Sequence, residues 1–370
     1  MPDHPLPQGG GRGVGSGTHP NSAHPQPSSR RAPLPILGSL LSPFYRLAIN
    51  HINRRFDSGR KVHRLPIPVI SIGNLSVGGT GKTPMVVHAV STLLEHGRHP
   101  VIAMRGYAKG KSIASDETDL YARTFPDLPI VAQPNRTAGL RALLASSLNP
   151  PNCVVLDDGF QHRQLARDLD IVLIDAAPDR SPFTDRLLPA GYLREPVESL
   201  KRAHAVVLTH AELADEHHLA RLSTQIQATT GREPIAITRH AWLGLLHTDQ
   251  PLPLDHLIGK RIVGCCAIGH PEGFLRSLRR TVGDNGRVES LILPDHDPFH
   301  PPTIRRLADL ARAHRADAIV ITDKDWSKLR HFPASTFPCP LLRPQLAIAF
   351  DSGRQTLESL LLKAAQAPKP

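Results

Sequence analysis

The chain has 370 residues, 40% of them hydrophobic and 21% charged, the composition of a globular protein long enough for two domains. Only 4% are aromatic, and the four cysteines (Cys153, Cys265, Cys266, Cys339) form no CxxC pair, which excludes extended stacking platforms, a disulfide framework and a cysteine zinc site. Of the net charge of +11, +7 lies between Arg30 and Arg64, where eight basic residues accompany Asp57 alone. Such a basic front end fits an anionic surface, either lipid headgroups or nucleic acid. The scarcity of aromatics and an adjacent amphipathic segment favour the lipid surface and argue against nucleic acid. No run of about 18 apolar residues exists to span a bilayer.

Residues 1–32 are rich in Gly, Pro, Ser and His, have no apolar core of a signal peptide, and read as a disordered N-terminal extension. Residues 33–60 read as an amphipathic membrane-interface helix. Ser42 is its expected N-cap and Pro43 its first helical position. Tyr45, Ala48, Ile49, Ile52 and Phe56 then share one face, with Arg46, Asn50, Asn53 and Arg54 opposite. A helix packed on the body of the protein is the alternative.

From Ile67 onward short apolar runs alternate with helical stretches. Ile67–Ile72, Val101–Met104, Cys153–Leu156, Ile171–Ile174 and Ala205–Leu208 read as buried parallel strands. Helices are expected near Pro84–Glu95, Thr137–Ser147 and Glu195–Arg202. A second series starts after Ile235–Ile237, with strands at Ile262–Ala267, Val288–Leu293 and Ala318–Thr322 and helices near Pro271–Arg280 and Pro302–His314. The pattern predicts an α/β protein: a P-loop NTPase-like parallel-sheet domain over 61–225 and a smaller α/β domain over 226–370.

The P-loop rests on the strongest motif. An apolar strand runs into Ser76-Val77-Gly78-Gly79-Thr80-Gly81-Lys82-Thr83, followed by a helix-compatible stretch, with serine where the first glycine of a P-loop usually stands. Glycines let backbone amides turn inward around phosphate oxygens, and the helix N-terminus adds its positive end. Lys82 reaches the β- and γ-phosphates and the Thr83 hydroxyl suits Mg²⁺. A metal needs acidic partners, and Val154-Val155-Leu156-Asp157-Asp158 supplies two at the end of an apolar strand. The site is therefore expected to take ATP with Mg²⁺ on Thr83, Asp157 and Asp158.

Three stretches together resemble the tetraacyldisaccharide 4′-kinase family: Gly73–Pro84, Arg105-Gly106-Tyr107, and Asp157-Asp158-Gly159-Phe160-Gln161-His162. Leu188-Pro189-Ala190-Gly191 with Arg194-Glu195, Gly269-His270-Pro271, Pro294-Asp295-His296 and Thr322-Asp323-Lys324-Asp325 extend the resemblance over about residues 34–350. It implies an ATP-dependent enzyme of lipid A biosynthesis, cytoplasmic and peripheral on the inner membrane of a Gram-negative bacterium. The γ-phosphoryl group would pass to the 4′-hydroxyl of an acylated glucosamine disaccharide 1-phosphate. It also implies a catalytic aspartate paired with a histidine, which fall on Asp116 and His296; with Lys82 these are the expected catalytic residues. The residues around Asp116 (Ser115-Asp116-Glu117-Thr118) depart from the family's Gly-Asp-Glu-Pro.

Arg105, the Arg194–Glu195 pair and the Lys324–Asp325 pair are further candidates for the cleft, the last two expected at a strand end. Asp295, His296, Asp297 and His300 lack the spacing of a metal site, and His217-His218 reads as a solvated loop pair. The alternatives to this kinase are a P-loop kinase for another acceptor, a membrane-docked ATPase switch, and a nucleic-acid-associated ATPase.

Overall fold

The computed structural model describes residues 35–59, 61–106, 115–269, 271–295 and 297–366; the expected extension 1–32 lies outside them. The chain runs α1 (Pro35–Asp57), β1 (Val69–Asn74), α2 (Lys82–Glu95), β2 (Pro100–Met104), α3 (Ser115–Thr124), β3 (Ile130–Ala132), α4 (Arg136–Ser146), β4 (Cys153–Asp157), β5 (Leu169–Asp175), β6 (Ala205–Thr209) and α5 (Glu216–Thr230). It continues through β7 (Ala236–His247), β8 (Gln250–Leu252), β9 (Arg261–Cys266), α6 (Pro271–Val282), β10 (Arg287–Ile292), α7 (Pro301–Ala313), β11 (Ala318–Ile321), α8 (Asp323–Leu329), β12 (Leu341–Ser352) and α9 (Arg354–Gln366).

Twelve strands form one mixed sheet in the order β10-β9-β11-β12-β7-β6-β5-β1-β4-β2-β3, with β8 paired to β7. β6 through β3 are mutually parallel, as are β10, β9 and β11. β7 starts parallel to β6 and β12 starts parallel to β11, while β7 and β12 run antiparallel to each other. Two parallel half-sheets are thus joined through one long antiparallel ribbon. The apolar runs of β1, β2, β4, β5, β6 and β11 are fully buried because helices cover both faces, and alternate residues serve opposite cores, whereas β10 at the sheet edge is mostly exposed. Ile70 and Ile72 of β1 face Met85, Val86 and Leu93 of α2, whereas Val69 packs with Val101, Leu140 and Val154.

The expected helix over Glu195–Arg202 is a 3₁₀ turn at Val197–Arg202. The short polar helix α3, the strand β12 and the helices α5, α8 and α9 were not among the expected elements. His217 and His218 lie on α5, and His218 is buried against Arg221 rather than solvated. α9 belongs by sequence to the C-terminal segment, yet Leu357, Leu361 and Ala365 sit in the core formed by β1 and α2. Helix α1 also starts seven residues before the expected N-cap. Ser42 does not cap: its hydroxyl donates to the carbonyls of Leu187 (2.8 Å) and Leu188 (3.2 Å), and Pro43 lies on the exposed side of the helix. No helix of the described residues is long and apolar enough to cross a membrane.

The return of α9 gives a stability prediction. Leu361→Ala empties a fully buried position and is expected to cost about 3 kcal/mol. Urea unfolding followed by circular dichroism reads it, and a loss below about 1 kcal/mol would mean that α9 is not part of this core.

Candidate active site

The glycine-rich loop connects β1 to α2 and is braced from three sides. Within it, the Asn74 side-chain amide donates to Thr80 Oγ1 at 2.7 Å, both groups buried. From two strands away, the Thr209 hydroxyl at the end of β6 donates to the Thr80 carbonyl at 3.0 Å. Before the loop turns, Ser76 and Leu193 form an antiparallel bridge, and the Val77 amide donates to the Tyr192 carbonyl at 2.8 Å. Gly78 and Gly81 have φ of 116° and 77°, a region side-chain-bearing residues rarely adopt. A Cβ on Gly81 would stand 3.2 Å from His240 Nε2, so the loop is confined as well as curved. Gly81 then serves as the N-cap of α2, with Lys82 and Thr83 in its first turn.

Asp157 closes β4 and Asp158 follows it in a left-handed conformation with φ 52°. Lys82 Nζ stands 3.6 Å from Asp158 Oδ1, and Arg194 donates to Asp158 Oδ2 at 2.7 Å. The buried Arg136 adds a hydrogen bond to the Asp158 carbonyl at 3.1 Å. Burial opposes ionisation of Asp158, but Lys82, Arg194 and Arg136 outweigh it and hold its carboxyl below the ordinary value. Asp157 is deeper. Burial raises its carboxyl despite the Lys82 cation, and the Tyr121 hydroxyl donates to its Oδ2 at 3.0 Å. The two acids are therefore unequal: Asp158 is the standing charge, Asp157 a shielded carboxylate aimed by a phenol.

Gln161 ties the ends of β1 and β4 together. Its side-chain amide donates to the Asn74 carbonyl at 2.8 Å and to Glu195 Oε1 at 3.2 Å. Phe160 is fully buried beside Gly73, where a Cβ would collide with it. Burial, with the Arg136 and Arg167 cations, pushes His162 down to about 4, which leaves it neutral at neutral pH.

Two neighbours were not singled out from the sequence. Tyr121 and Glu117 stand one turn apart on α3, a helix too polar and short to be read from periodicity. The Glu117 residue borders solvent, but protein around its carboxyl and repulsion from Asp157 push it up to about 7, against the pull of Lys82 and Lys324. Lys324 lies in the first turn of α8 rather than at a strand end, and also meets Asp295 at 3.3 Å. Asp325 turns away, accepting hydrogen bonds from the Thr322 hydroxyl (2.6 Å) and the Ala267 amide (3.1 Å); it holds the fold. Arg105 is exposed after β2, within electrostatic reach of Arg136. His296 lies outside the described residues, as does the side chain of Asp116, whose backbone opens α3.

Two carboxylates and one hydroxyl fit magnesium, a hard cation that keeps water and phosphate oxygens for most of its sites. Asp158 Oδ1 is buried and takes no hydrogen bond among the described residues, which leaves it available to a cation. No group of three or more His, Cys, Asp or Glu residues disposed to hold a metal occurs among the described residues.

The sequence profile of the tetraacyldisaccharide-1-P 4′-kinase family matches residues 34–366. The chain belongs to this family. A tetraacyldisaccharide 4′-kinase of Chlorobium phaeovibrioides is 35% identical over 81% of this chain and 88% of its own length. One of Syntrophus aciditrophicus is 32% identical over 92% and 95%. A crystal structure of LpxK from Aquifex aeolicus in complex with ATP superposes with a TM-score of 0.66 at 29% identity, covering 88% of this chain and 99% of that one. Membership makes the chain an ATP-dependent kinase of lipid A biosynthesis on a mixed α/β, P-loop NTPase-like fold.

The raised Glu117 carboxyl predicts a pH dependence of stability. Between the ordinary 4.5 and about 7 the folded chain keeps a proton that the unfolded chain releases, so stability falls as pH rises through this window. In metal-free buffer Glu117→Gln is expected to melt on the order of 2 °C above the parent at pH 8, because the partial solvent contact limits the effect, and to match it near pH 4.5. Calorimetry at both pH values checks this; a gap that is independent of pH would refute it.

Proposed function

We propose that this chain binds ATP in the Ser76–Thr83 loop and transfers its γ-phosphoryl group to the 4′-hydroxyl of an acylated glucosamine disaccharide 1-phosphate at a membrane surface. The single observation that carries the proposal is the confined glycine-rich loop delivering Lys82 beside Asp157 and Asp158. Backbone amides of Gly78, Gly79, Thr80 and Gly81 cradle the phosphates, with Ser76 and Val77 leading the chain into the loop and the Val77 amide itself held by the Tyr192 carbonyl, and Lys82 follows charge onto the bridging oxygen as the β–γ bond breaks. Magnesium on Thr83, Asp157 and Asp158 supplies neutralisation of phosphate charge. Asp116 takes the proton from the acceptor hydroxyl as the new O–P bond forms, with His296 orienting the aspartate, and ADP leaves. Catalysis is then mostly positioning and charge compensation, as this chemistry allows.

The division into a P-loop domain over 61–225 and a smaller domain over 226–370, with the acceptor side chains contributed by both, belongs to the same proposal. Supporting it, Arg330 and Asp119 join α8 to α3 at 2.5 Å, and Arg123 and Asp323 do so at 3.3 Å. The half-sheet that contains β11 and α8 is thus tied to the helix bearing Asp116.

Membrane docking through α1 is likewise a proposal, with the enzyme peripheral on the cytoplasmic face. Its support is a row of large apolar side chains left in solvent: Leu37, Leu40, Leu41, Phe44 and Leu47, of which Phe44 is 70% exposed. The docked face differs from the expected one. Tyr45, Ile49 and Phe56 turn toward the protein, and the lipid-facing row lies in the turns before and between them.

Transfer of labelled γ-phosphate from ATP to an acylated disaccharide 1-phosphate tests the reaction. Lys82→Ala, Asp116→Ala and His296→Ala are each expected to lose at least about 100-fold in kcat, with Asp116→Ala still binding nucleotide. An active Asp116→Ala enzyme would place the base elsewhere. For docking, Leu40→Ser with Leu47→Ser is expected to abolish co-sedimentation with phosphatidylglycerol vesicles; undiminished sedimentation would remove α1 from the interface.

A further inference from the structure

We infer that Tyr45 and Asn53 of α1 are positioning residues for phosphoryl transfer, so that the lipid-facing helix sets the geometry of the nucleotide site through the strap Leu187–Glu195. This rests on the reading of α1 as the helix that meets lipid.

The strap has two working sides. On its inner side Leu193 bridges Ser76, the Tyr192 carbonyl accepts from Val77, and the Arg194 amide donates to the Leu75 carbonyl at 2.8 Å. These contacts fix where the glycine-rich loop begins. The same segment sends the Arg194 guanidinium to Asp158 at 2.7 Å and to Gln161 Oε1 at 3.3 Å. Glu195, buried, accepts from Gln161 and pairs with Arg202 at 2.9 Å.

On its outer side the strap is held by α1. The Tyr45 hydroxyl donates to the carbonyl of Arg194 at 2.9 Å, so one residue carries α1 on its backbone and Asp158 on its side chain. The Asn53 side-chain amide donates to Glu195 Oε2 at 3.0 Å, and the Ser42 hydroxyl donates to Leu187 and Leu188. Gly38 packs so closely on Pro189 that a Cβ there would lie 2.7 Å from its carbonyl oxygen. Each contact comes from the side of α1 opposite the exposed Leu and Phe row. A lipid surface that seats that row therefore presses the polar side onto the strap, and the strap holds Arg194 on Asp158 and the loop in its bridge. A helix that only anchored the enzyme would need no hydrogen bond to the residue that clamps a catalytic carboxylate.

The test uses the full chain with acceptor lipid in phosphatidylglycerol vesicles, comparing the parent, Tyr45→Phe, Arg194→Lys and the double variant. Tyr45→Phe keeps the ring and loses one hydrogen bond. It is expected to lower kcat about fivefold with KM for the lipid and vesicle co-sedimentation unchanged, the size of effect one ordinary hydrogen bond gives. Because Tyr45 acts through Arg194, the double variant is expected to be no slower than Arg194→Lys alone. Asn53→Ala is expected to behave as Tyr45→Phe does. Parental kcat in Tyr45→Phe, or effects that multiply in the double variant, would overturn the inference. A parent chain that transfers no phosphate to the lipid would instead overturn the proposed function itself, so the two failures are told apart.

Discussion

The structure depends on keeping a cluster of charges at one point where water is scarce. Lys82, Arg194 and Arg136 converge on Asp158, while Asp157 sits a residue away with almost no solvent contact. Charges removed from water are tolerated only when each finds a partner and its remaining lone pairs are used. The sheet meets that demand by ending β1 and β4 side by side, with β6 one strand further along beyond β5, so that Asn74 and Thr209 both brace the loop while Asp157 closes β4 next to it. Dipoles and cations that the fold has already set in place are the condition under which developing charge is stabilised.

That constraint explains the departures from a simple two-domain chain. A parallel half-sheet can be extended by another of opposite direction only through an antiparallel pair, and the 12-residue strands β7 and β12 are that pair. The C-terminal helix α9 then crosses back to cover β1 and α2, sealing the face behind the glycine-rich loop. Arg343 is buried in the ribbon and meets Asp323 at 2.8 Å, the same aspartate that Arg123 of α3 reaches. The second half-sheet is in this way wired to the helix that starts at the predicted base.

Helix α1 follows a different logic, since one side packs on the protein and the other stands open. The polar side is satisfied by carbonyls of the Leu187–Glu195 strap, and the apolar row stands largely exposed. An acceptor whose acyl chains remain in a bilayer needs a kinase that works at the surface, and such a helix suits that task. Joining the helix to the strap puts α1 and the Arg194–Asp158 pair in one hydrogen-bonded unit.

From the sequence alone the glycine-rich loop was legible, because such a loop constrains consecutive residues: Gly78 and Gly81 take the positive φ that the turn requires, and Lys82 and Thr83 open the helix that follows. The buried strands before it and before Asp157 were legible for the same local reason, an apolar run with both faces covered. Family resemblance rather than spacing pointed to Asp116 and His296. Tertiary structure decided what depends on residues far apart in the chain. Glu117 and Tyr121 gained their place only when α3 folded over β4, and Arg194 only when the strap crossed Asp158. Ser42, a cap by sequence, became an anchor because a carbonyl 145 residues away offered its hydroxyl a partner. Local patterns record what a residue does to its own backbone. Which distant charge or carbonyl it meets is settled by packing, since the free energy of a buried polar contact belongs to the pair and not to either residue.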